Sequence, residues 1–531
     1  MTSQFNVDGL IDHVQSVRRN TLGDLLLRTS ERFPTKLALV FKTQRLTYEE
    51  LDVLVNRTAH GLLSNGIKKG DFVTVMSRNS LDFVVLNFAL ARIGTIMVPI
   101  NYMLTKDEIS YIIEHARIHA VFASKEFTAI MDQSLVRHEV EKKVIIGQYD
   151  EYAPEQWTSI NSIRKDQSTA LPDIQIEDDD VAQVLYTSGT ESRPKGVMLS
   201  HKSLISEYVS SIIDGKMSAE DIVLHALPLY HSAQLHVFLG PSVYLGSTGI
   251  ILEFPSPETI LQTIEEERAS LLFCPPTVWI ALLRHRDFDK RDLSSLKKCY
   301  YGAAIMPMEI LKELKERLPG ASLWNFYGQT EVAPLATALQ PEDQLRKLGS
   351  AGLPSLNVQT RIVNDQDEEV PRGQLGEIVH RTPHAMKGYL HDAEKTAEAF
   401  RGGWFHTGDL GIMDEEGYLT IVDRKKDMIN TGGVNVSSRE VEEVIYEMEG
   451  VSEVAVISIP DSYWIEAVTA IIIPKAGTKI QEVEVIEFCK KRLSSFKIPK
   501  YVEFTNELPK NPSGKVLKRT LRTEYTKKSG T

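Results

Sequence analysis

The feature that most constrains the fold is a regular alternation of strand and helix patterns in the first quarter of the chain. Thr47-Tyr-Glu-Glu50 has the spacing of a helix capping box, and apolar residues follow it at helical intervals as far as Gly66. Strands that alternate with helices of this length favour a parallel sheet covered by helices. The next predicted elements, strand and helix in turn, are Asp71–Met76, Ser80–Ile93, Thr95–Ile100, Lys106–Ala116 and Ala120–Ser124.

The chain has 531 residues, which is too long for one small module and predicts several structural units. A polar segment, Val422-Asp-Arg-Lys-Lys-Asp427, precedes patterns typical of a compact α+β unit. We therefore predict an α/β protein with a large N-terminal domain of helix-covered, mainly parallel sheets, residues 1–422, and a small α+β C-terminal domain, residues 428–531. The elements predicted in the small domain are Ser438–Met448 (helix), Val454–Ile459 and Val468–Ile473 (strands), Val483–Leu493 (helix) and Tyr501–Phe504 (strand).

Composition and charge exclude several classes of protein. Hydrophobic residues make up 42% of the chain and charged residues 25%, which is typical of a globular protein rather than a disordered one. The net charge is −12 and no block of basic residues stands out, so we expect no nucleic-acid partner. The most apolar stretch, Phe83–Ile100, is interrupted by Asn87, Arg92, Gly94 and Pro99 and is too short to cross a bilayer comfortably. We therefore expect no integral membrane association.

The cysteines and the start of the chain bear on cellular location. Cys274, Cys299 and Cys489 lie far apart without a C-x-x-C pair, so the sequence predicts neither a disulfide framework nor a cysteine-based metal site. The first twenty residues include acidic side chains and no apolar core, unlike a signal peptide. We expect a cytoplasmic protein that is a monomer or a homodimer.

One segment combines the residue types that bind phosphate. Tyr186-Thr-Ser-Gly-Thr-Glu-Ser-Arg-Pro-Lys-Gly196 follows an apolar strand and contains hydroxyls, two glycines and a lysine. Backbone N–H groups exposed by glycine, hydroxyl donors and a lysine charge together make a phosphate cradle. Because Lys195 precedes the second glycine and Val197 follows it, the segment does not match the P-loop of common NTPases. Alone, it would be equally typical of a flexible surface turn.

Four further motifs follow this segment in order. They are Asn325-Phe-Tyr-Gly-Gln-Thr-Glu331, Trp404-Phe-His-Thr-Gly-Asp409, Asp423-Arg-Lys-Lys-Asp-Met-Ile429 with Gly432-Gly-Val-Asn435, and Pro509-Lys-Asn-Pro-Ser-Gly-Lys515. At these residues the chain resembles the adenylate-forming superfamily of acyl-CoA synthetases, peptide-synthetase adenylation domains and beetle luciferases, and it is most like fatty-acyl-CoA synthetases. The resemblance extends from about Thr21 to Arg519, and the ordered set of five motifs is highly specific.

The resemblance implies an ATP-dependent acid–CoA ligase with ATP, Mg²⁺ and CoA as cofactors or co-substrates. Such an enzyme joins a carboxylic acid to AMP, releases pyrophosphate and then transfers the acyl group to CoA. By resemblance, Asp409 accepts hydrogen bonds from the ribose hydroxyls, and the small residues from Gly302 lie beside adenine and the acyl group. The positions that match the family's ATP site are Thr187, Ser188, Gly189, Thr190, Lys195, Gly302, Ala303, Ala304, Asn325, Phe326, Tyr327, Gly328, Asp409 and Arg424.

Three residues match the family's catalytic positions. Glu331 corresponds to the magnesium ligand, a hard carboxylate suited to a hard cation, and Thr330 would reach the α-phosphate. Lys515 corresponds to the lysine that reaches the carboxylate and the α-phosphate during adenylation. A carboxylate that attacks phosphorus must overcome charge repulsion, and a cation placed where negative charge builds up lowers that barrier.

The resemblance also implies roles for the small domain in the second half of the reaction. In the family this domain is mobile and rotates between adenylation and thioester formation about a residue two past the crossing arginine. That residue is Lys426 in this chain, within a predicted hinge at residues 423–427. Gly432, Gly433 and Asn435 would then line the tunnel for the pantetheine arm of CoA, because glycine lets a thin thiol pass close to the backbone. The alternative is a plain turn before the next helix.

The chain departs from the family pattern at four positions. Glu191 and Ser192 stand where Thr and Gly are expected in the phosphate loop, so Glu191 points outward, contacts Mg²⁺ or weakens ATP binding. Tyr301 and Asp423 stand where glycine is commoner, which leaves the acyl pocket and the hinge geometry open.

The acid is the least determined substrate. His231 matches a family position between the acyl pocket and the thiol tunnel, and Trp279 is a second candidate pocket residue, although a core histidine remains an alternative. The surrounding residues are mostly apolar, which favours a medium- or long-chain fatty acid first and an aryl acid second. The alternatives from other classes are an acyl-AMP ligase that loads a carrier protein and an inactive ATP- or acyl-binding module.

Overall fold

The structure is a computed structural model, and it describes residues 14, 17–147, 154, 156–187, 193–302, 306–425, 427–432, 434–461, 463–475, 477–510 and 516–528. Its strands, in chain order, are β1 Leu37–Phe41, β2 Gln44–Thr47, β3 Phe72–Met76, β4 Ile96–Pro99, β5 Ala120–Ser124, β6 Lys142–Ile146, β7 Thr158–Ser159, β8 Val181–Thr187, β9 Lys195–Ser200, β10 Ile222–His225, β11 Thr248–Ile251, β12 Leu271–Phe273, β13 Lys298–Gly302, β14 Ser322–Gly328, β15 Leu335–Leu339, β16 Leu353–Pro354, β17 Gln359–Val363, β18 Gly376–Arg381, β19 Gly388–Tyr389, β20 Phe405–Met413, β21 Leu419–Arg424, β22 Ile429–Thr431, β23 Val434–Val436, β24 Val451–Asp461, β25 Ile465–Pro474 and β26 Tyr501–Phe504.

Helices connect most of these strands. The α-helices are α1 Leu22–Arg32, α2 Tyr48–Ser64, α3 Leu81–Arg92, α4 Lys106–Ala116, α5 Thr128–Leu135, α6 Ile160–Arg164, α7 His201–Asp214, α8 Gly240–Leu245, α9 Pro257–Glu267, α10 Pro276–Arg284, α11 Met308–Arg317, α12 Ala393–Ala399, α13 Ser438–Tyr446, α14 Glu482–Lys490 and α15 Lys518–Lys528. A π-helical segment, Ala233–Leu239, precedes α8. Such segments are rare and often lie at functional sites.

Two large sheets form the framework of the large domain. One has nine strands in the order β16-β15-β14-β13-β12-β10-β11-β1-β2, and the other has eight in the order β19-β9-β8-β4-β3-β5-β6-β7. The central pairs of both sheets are parallel, and the edge pairs are antiparallel except β6–β7, which is parallel. Buried apolar residues of α2, α3 and α7 pack in the largest core cluster. The predicted large domain of helix-covered, mainly parallel sheets is confirmed.

Two smaller sheets complete the molecule. Strands β17, β18, β20 and β21 form an antiparallel sheet in the large domain, which the sequence analysis did not predict. In the small domain, β22 to β25 form an antiparallel sheet to which β26 adds in parallel. Its core consists of apolar residues from these strands with α13 and α14.

The predicted elements agree with the structure to within a few residues. The capping box is present, because the Thr47 hydroxyl accepts from the Glu50 N–H and the Glu50 carboxylate accepts from the Thr47 N–H. Lys106–Ala116, Ala120–Ser124 and Tyr501–Phe504 have their predicted bounds. Among the described helices, none is both long and apolar enough to span a membrane.

Candidate active site

Asp409 of β20 is a buried polar group of the predicted nucleotide site. Its side chain is buried, and its Oδ2 accepts hydrogen bonds from the Tyr327 hydroxyl at 2.8 Å and the Gln329 amide at 2.9 Å. Arg424 lies opposite on β21, with Nε 3.2 Å from Oδ1. The Oδ1 atom is nevertheless buried without an accepted hydrogen bond in the described part of the chain. Oδ1 is ion-paired with Arg424 but accepts no described hydrogen bond, so it can still accept one from a ligand hydroxyl.

Strand β14 presents alternate residues to opposite sides, as a pleated strand must. Asn325 and Tyr327 point to one side, where the Asn325 amide donates to the Ser350 carbonyl at 3.1 Å. The ring of Phe326 points to the other side, into an apolar cluster. Phe326 can therefore contact a nucleotide through its backbone, whereas its ring belongs to the opposite face.

Two glycines at strand ends allow neighbouring backbone segments to approach each other closely. A Cβ on Gly328 would lie 1.7 Å from the Pro334 carbonyl oxygen, and a Cβ on Gly302 would lie 2.3 Å from the Phe326 carbonyl oxygen. No other residue fits at these contacts without backbone movement. Both glycines end parallel strands, and this edge of an open α/β sheet is where ligands commonly bind.

Glu331 lies in a short 3₁₀-helix, Thr330–Val332, directly after β14. Its Oε1 accepts a hydrogen bond from the Tyr389 hydroxyl at 3.0 Å. Burial raises the pKa of Glu331, although the Tyr389 bond and the positive charge of Lys195 both act to lower it. The Lys195 ammonium lies 5.0 Å from the centre of the Tyr389 ring. Tyr389 thus brings the predicted phosphate-binding lysine and the predicted metal ligand together.

The Thr330 hydroxyl connects this region to the predicted acyl side. Its Oγ1 lies 3.0 Å from Oγ of Ser232, which follows His231. The Ala233 N–H donates to Nδ1 of His231 at 3.4 Å, so Nδ1 is an acceptor. Trp279 is only 1% exposed, and its indole N–H donates to the Tyr300 carbonyl at 3.0 Å. Trp279 therefore packs in the hydrophobic core.

The glycine-rich segment begins in β8 and ends in β9, and these two strands pair with each other. Thr187 pairs with Lys195 across the antiparallel strands β8 and β9. Several predicted residues lie outside the described part of the chain, and this applies to Ser188, Gly189, Thr190, Glu191, Ser192, Ala303, Ala304, Lys426, Gly433 and Lys515.

A cavity of about 1900 Å³ lies between the two domains. The large domain contributes the segment 325–328 and Asp409 to its lining, the hinge contributes Arg424, and the small domain contributes Arg439 and Lys518. Pockets for a single small molecule usually measure about 300–1,000 Å³, so this cavity has room for more than one substrate. Gly432 and Asn435, predicted to contact CoA, are instead exposed, Gly432 directly after β22 and Asn435 within β23.

Gly432 has a φ of 59°, which favours glycine, and its N–H donates to the Trp464 carbonyl at 2.6 Å. A Cβ at Gly432 would lie 3.7 Å from the Trp464 ring. Gly432 is thus anchored to the residue that precedes β25, while Asn435 remains exposed.

Three residues of the site have supporting roles that the sequence analysis did not assign. Gln329 and Tyr389 donate to the predicted ribose and metal carboxylates, and Ser232 bonds to Thr330. Gln329 lies within a recognised motif and could have been found there. Tyr389 follows Glu331 by 58 positions, and no local pattern marks it.

The fold and the site together define an enzyme class that binds a nucleotide between a large and a small domain. The AMP-binding enzyme model matches residues 26–390, and the AMP-binding enzyme C-terminal domain model matches residues 440–515. The chain therefore belongs to the AMP-binding, adenylate-forming enzyme family, whose members include acyl- and aryl-acid–CoA ligases.

Relatives of known name cover nearly the whole chain. A feruloyl-CoA synthase of Amycolatopsis sp is 34% identical over 96% of this chain and 100% of the relative. A long-chain-fatty-acid–CoA ligase of Bacillus subtilis (strain 168) is 33% identical over 97% of this chain and 96% of the relative. The crystal structure of anthranilate CoA ligase AuaEII with anthranoyl-AMP superposes with a TM-score of 0.90 at 26% identity, covering 96% of this chain and 98% of that one.

Proposed function

We propose that the protein activates a carboxylic acid as acyl-AMP, with release of pyrophosphate, and then transfers the acyl group to CoA. The observation that carries this proposal is the buried Asp409, which has an open acceptor beside a cavity shared by both domains. The family match supports ATP and CoA as the substrates.

In the first half-reaction, Asp409 holds the ribose hydroxyls, and Tyr327 and Gln329 fix its carboxylate by their hydrogen bonds. Thr187 and Lys195 flank the loop proposed to hold the outgoing pyrophosphate. Thr330 hydrogen-bonds the α-phosphate, and Lys515 balances the charge that develops as the carboxylate attacks phosphorus.

Glu331 fits a magnesium ion in its chemistry and in its surroundings. It is a partly buried carboxylate, and only its Oε1 accepts from Tyr389. Among the described residues there is no cluster of three or more metal-binding side chains, so phosphate oxygens and water would complete the coordination. Bound Mg²⁺ would neutralise phosphate charge. The role of the chain is to hold the ionised carboxylate beside the phosphate-binding hairpin.

For the second half-reaction, we propose that the small domain turns about Lys426 and brings Gly432, Gly433 and Asn435 to the thiol. In the described conformation Gly432 and Asn435 do not line the cavity, so the proposal requires this rotation. The cytoplasmic location and the choice between monomer and homodimer remain predictions from the sequence.

The acid is proposed to be apolar. The sequence favours a medium- or long-chain fatty acid, and a fatty-acid ligase is among the relatives. An aryl acid is the second candidate, because closely packed aromatic rings lie behind Phe326 and because relatives are named for ferulate, indoleacetate and anthranilate.

The test separates the two half-reactions in Lys515→Ala. Acyl-AMP formation, measured by pyrophosphate exchange with a panel of acids, should fall about 10²–10³-fold or more, because a charge-stabilising group is lost. Conversion of supplied acyl-AMP and CoA to thioester, followed by mass spectrometry, should be largely retained. The exposed Lys527, changed to Ala, is the matched control and should leave both rates unchanged.

Two outcomes would contradict the proposal. Equal loss of both half-reactions would exclude the assigned role of Lys515. If no thioester forms with CoA but the acyl group is transferred to a phosphopantetheine-bearing carrier protein, the protein is the alternative acyl-AMP ligase that loads a carrier protein.

A further inference from the structure

Helix α4 places two polar side chains against the two ends of the glycine-rich segment, residues 186–196. Tyr111 and His115 are four residues apart in this helix, and side chains at this spacing lie on one helix face. At the start of the segment, Nδ1 of His115 lies 2.7 Å from the Tyr186 hydroxyl. At its end, the Tyr111 hydroxyl donates to the Pro194 carbonyl at 3.3 Å. One face of α4 therefore contacts both ends of the segment proposed to hold pyrophosphate.

Helix α4 is fixed to the large domain independently of these two bonds. Its N-terminus has a complete capping box, in which the Thr105 hydroxyl accepts from the Glu108 N–H and the Glu108 carboxylate accepts from the Thr105 N–H. Its apolar residues Ile109, Ile112 and Ile113 are buried in a core cluster. A side chain that projects from a packed helix is held more accurately than one on a loop. The helix can therefore determine where the two ends of the segment lie.

The contact between His115 and Tyr186 is a hydrogen bond between two uncharged groups. Burial raises the pKa of the Tyr186 hydroxyl, which therefore keeps its proton. Burial and the neighbouring His391 lower the pKa of His115, so its ring is uncharged at neutral pH. The Tyr186 ring also lies close to β9, since a Cβ on Gly196 would be 3.2 Å from it. Tyr186 thus contacts both α4 and the opposite end of the segment.

The second contact is made by Tyr111 at the end of the segment. The guanidinium carbon of Arg193 lies 5.3 Å from the centre of the Tyr111 ring, a separation typical of cation–π attraction. Pro194 is followed directly by Lys195, the lysine predicted to bind phosphate, and Lys195 pairs with Thr187 across β8 and β9. A shift of Pro194 would therefore displace predicted phosphate-binding residues at both ends of the segment.

We propose that Tyr111 and His115 are positioning residues that set the separation and orientation of the two ends of the glycine-rich segment, so that it fits the β- and γ-phosphates of ATP. This inference rests on the proposed function, in which the segment holds the outgoing pyrophosphate. The two residues act through Tyr186 and Pro194. A phosphate site made of backbone N–H groups and hydroxyls depends on the spacing of its donors, because a hydrogen bond weakens steeply when its angle is poor.

The experiment compares ATP with AMP, because AMP lacks the two phosphates that the segment is proposed to bind. Dissociation constants for both nucleotides are measured by calorimetry on the full-length protein with Mg²⁺ and without a carboxylic acid. His115→Leu and Tyr186→Phe each remove one partner of the same bond, and Tyr111→Phe removes the other bond but keeps the ring. Each change should weaken ATP binding about three- to tenfold, the effect expected from one neutral hydrogen bond, and leave AMP binding unchanged.

A rescue variant and a double mutant separate positioning from a general structural role. His115→Asn places an amide group near the position of Nδ1 and should restore most of the ATP affinity that His115→Leu loses. Because leucine is the better helix former, a more stable helix cannot explain this rescue. His115→Leu combined with Tyr186→Phe should weaken ATP binding no more than either change alone, since both remove the same bond. His60→Leu is the matched control, because it changes a helix histidine that bonds instead to the Ala170 carbonyl, and both affinities should stay unchanged.

The inference is overturned if ATP affinity is unchanged in the folded single variants, if ATP and AMP affinities fall by the same factor, or if His115→Asn behaves as His115→Leu does. If His115→Leu does not fold, Tyr186→Phe tests the same bond with the loss of a single hydroxyl. An unmodified protein that binds ATP no more tightly than AMP would overturn the phosphate role proposed for the segment, and the inference with it. Failure of the inference alone would leave the preference for ATP intact in every variant.

Discussion

Apolar cores stabilise each of the two domains internally, whereas polar contacts join the domains to each other. Each has apolar cores, and every described hydrophobic cluster lies wholly before or wholly after residues 423–427. The described contacts between them are polar. Arg439 of the small domain donates to the Gly349 carbonyl, and the Ser437 hydroxyl of the small domain donates to the Val422 carbonyl at 2.9 Å.

Asp423 is the most complete of these connections. It lies at the end of β21, and its buried Oδ2 accepts from the Ser438 N–H at 2.8 Å and the Ser438 hydroxyl at 2.7 Å. A carboxylate at the N-terminus of α13 is also favoured by the helix dipole. The sequence left open why aspartate stands here in place of glycine, and this bond gives it a structural role.

The difference shows how one chain can combine a rigid site with a movable domain. Polar contacts exchange with water at a net cost of about 0.5–1.5 kcal/mol each, whereas separating an apolar core would expose all of its surface. The small domain can therefore change position as a unit while both cores remain intact. This agrees with the rotation proposed about Lys426.

The largest effect should come from a change in the nucleotide site of the large domain. Asp409→Ala removes the acceptor for both ribose hydroxyls, and we expect kcat/KM for ATP in pyrophosphate exchange to fall about 10²-fold, since a hydrogen bond to a charged group contributes about 1.5–3 kcal/mol. Glu415→Ala, which changes an exposed carboxylate in the turn between β20 and β21, is the control. An unchanged kcat/KM would show that the ribose contact lies elsewhere.

The second prediction uses the raised pKa of Glu331. Burial favours its protonated form, so the carboxylate should lose Mg²⁺ at a higher pH than an ordinary glutamate does. Below that pKa, the Mg²⁺ concentration for half-maximal adenylation should rise about tenfold per pH unit, because a proton competes with the metal.

Two variants sharpen this test. Tyr389→Phe removes the hydroxyl that stabilises the ionised form, so the change in Mg²⁺ requirement should move to higher pH. Glu331→Gln should need more Mg²⁺ at every pH and lose the dependence. A Mg²⁺ requirement that does not vary with pH in the unmodified protein would rule out Glu331 as the ligand.

The third prediction concerns the connection between the domains. Asp423→Ala leaves the Ser438 N–H and hydroxyl without their buried acceptor, which should lower the free energy of unfolding by about 1–3 kcal/mol in denaturant titration. Ser438→Ala is the matched variant. In the double mutant the two losses should not add, and full additivity would mean that the bond contributes nothing.

Local patterns were enough to predict much of the fold and the polar end of the site. The alternation from β3 to β5 follows from residues that are neighbours in sequence, and Asp409 and Glu331 lie in recognisable motifs. Phe326 shows the limit of such patterns. Its motif predicted a nucleotide contact, whereas the side of β14 on which its ring lies depends on packing with Phe273 and Tyr300, which are distant in sequence.

The same limit applies to Tyr389 and to the antiparallel sheet of the large domain. Tyr389 supports Glu331 across a long separation in sequence, and β17 pairs with β18 through registers that short strand patterns do not specify. Long-range packing and pairing thus determine what local patterns cannot.

The smallest expected effect belongs to the small domain alone. Ile465 opens β25 with a φ of 69°, a left-handed conformation that costs an L-residue about 1–2 kcal/mol. Ile465→Gly removes this strain but adds freedom to the unfolded chain worth about 0.5–1 kcal/mol, so the net gain should be about 0.5 kcal/mol. Ile465→Asn should behave similarly, because asparagine tolerates this conformation, whereas Ile465→Val should give no gain. Calorimetry should show the gain only in the transition of the small domain if the two cores unfold separately. Equal shifts of both transitions would show that the polar junction couples the domains more tightly than the comparison implies.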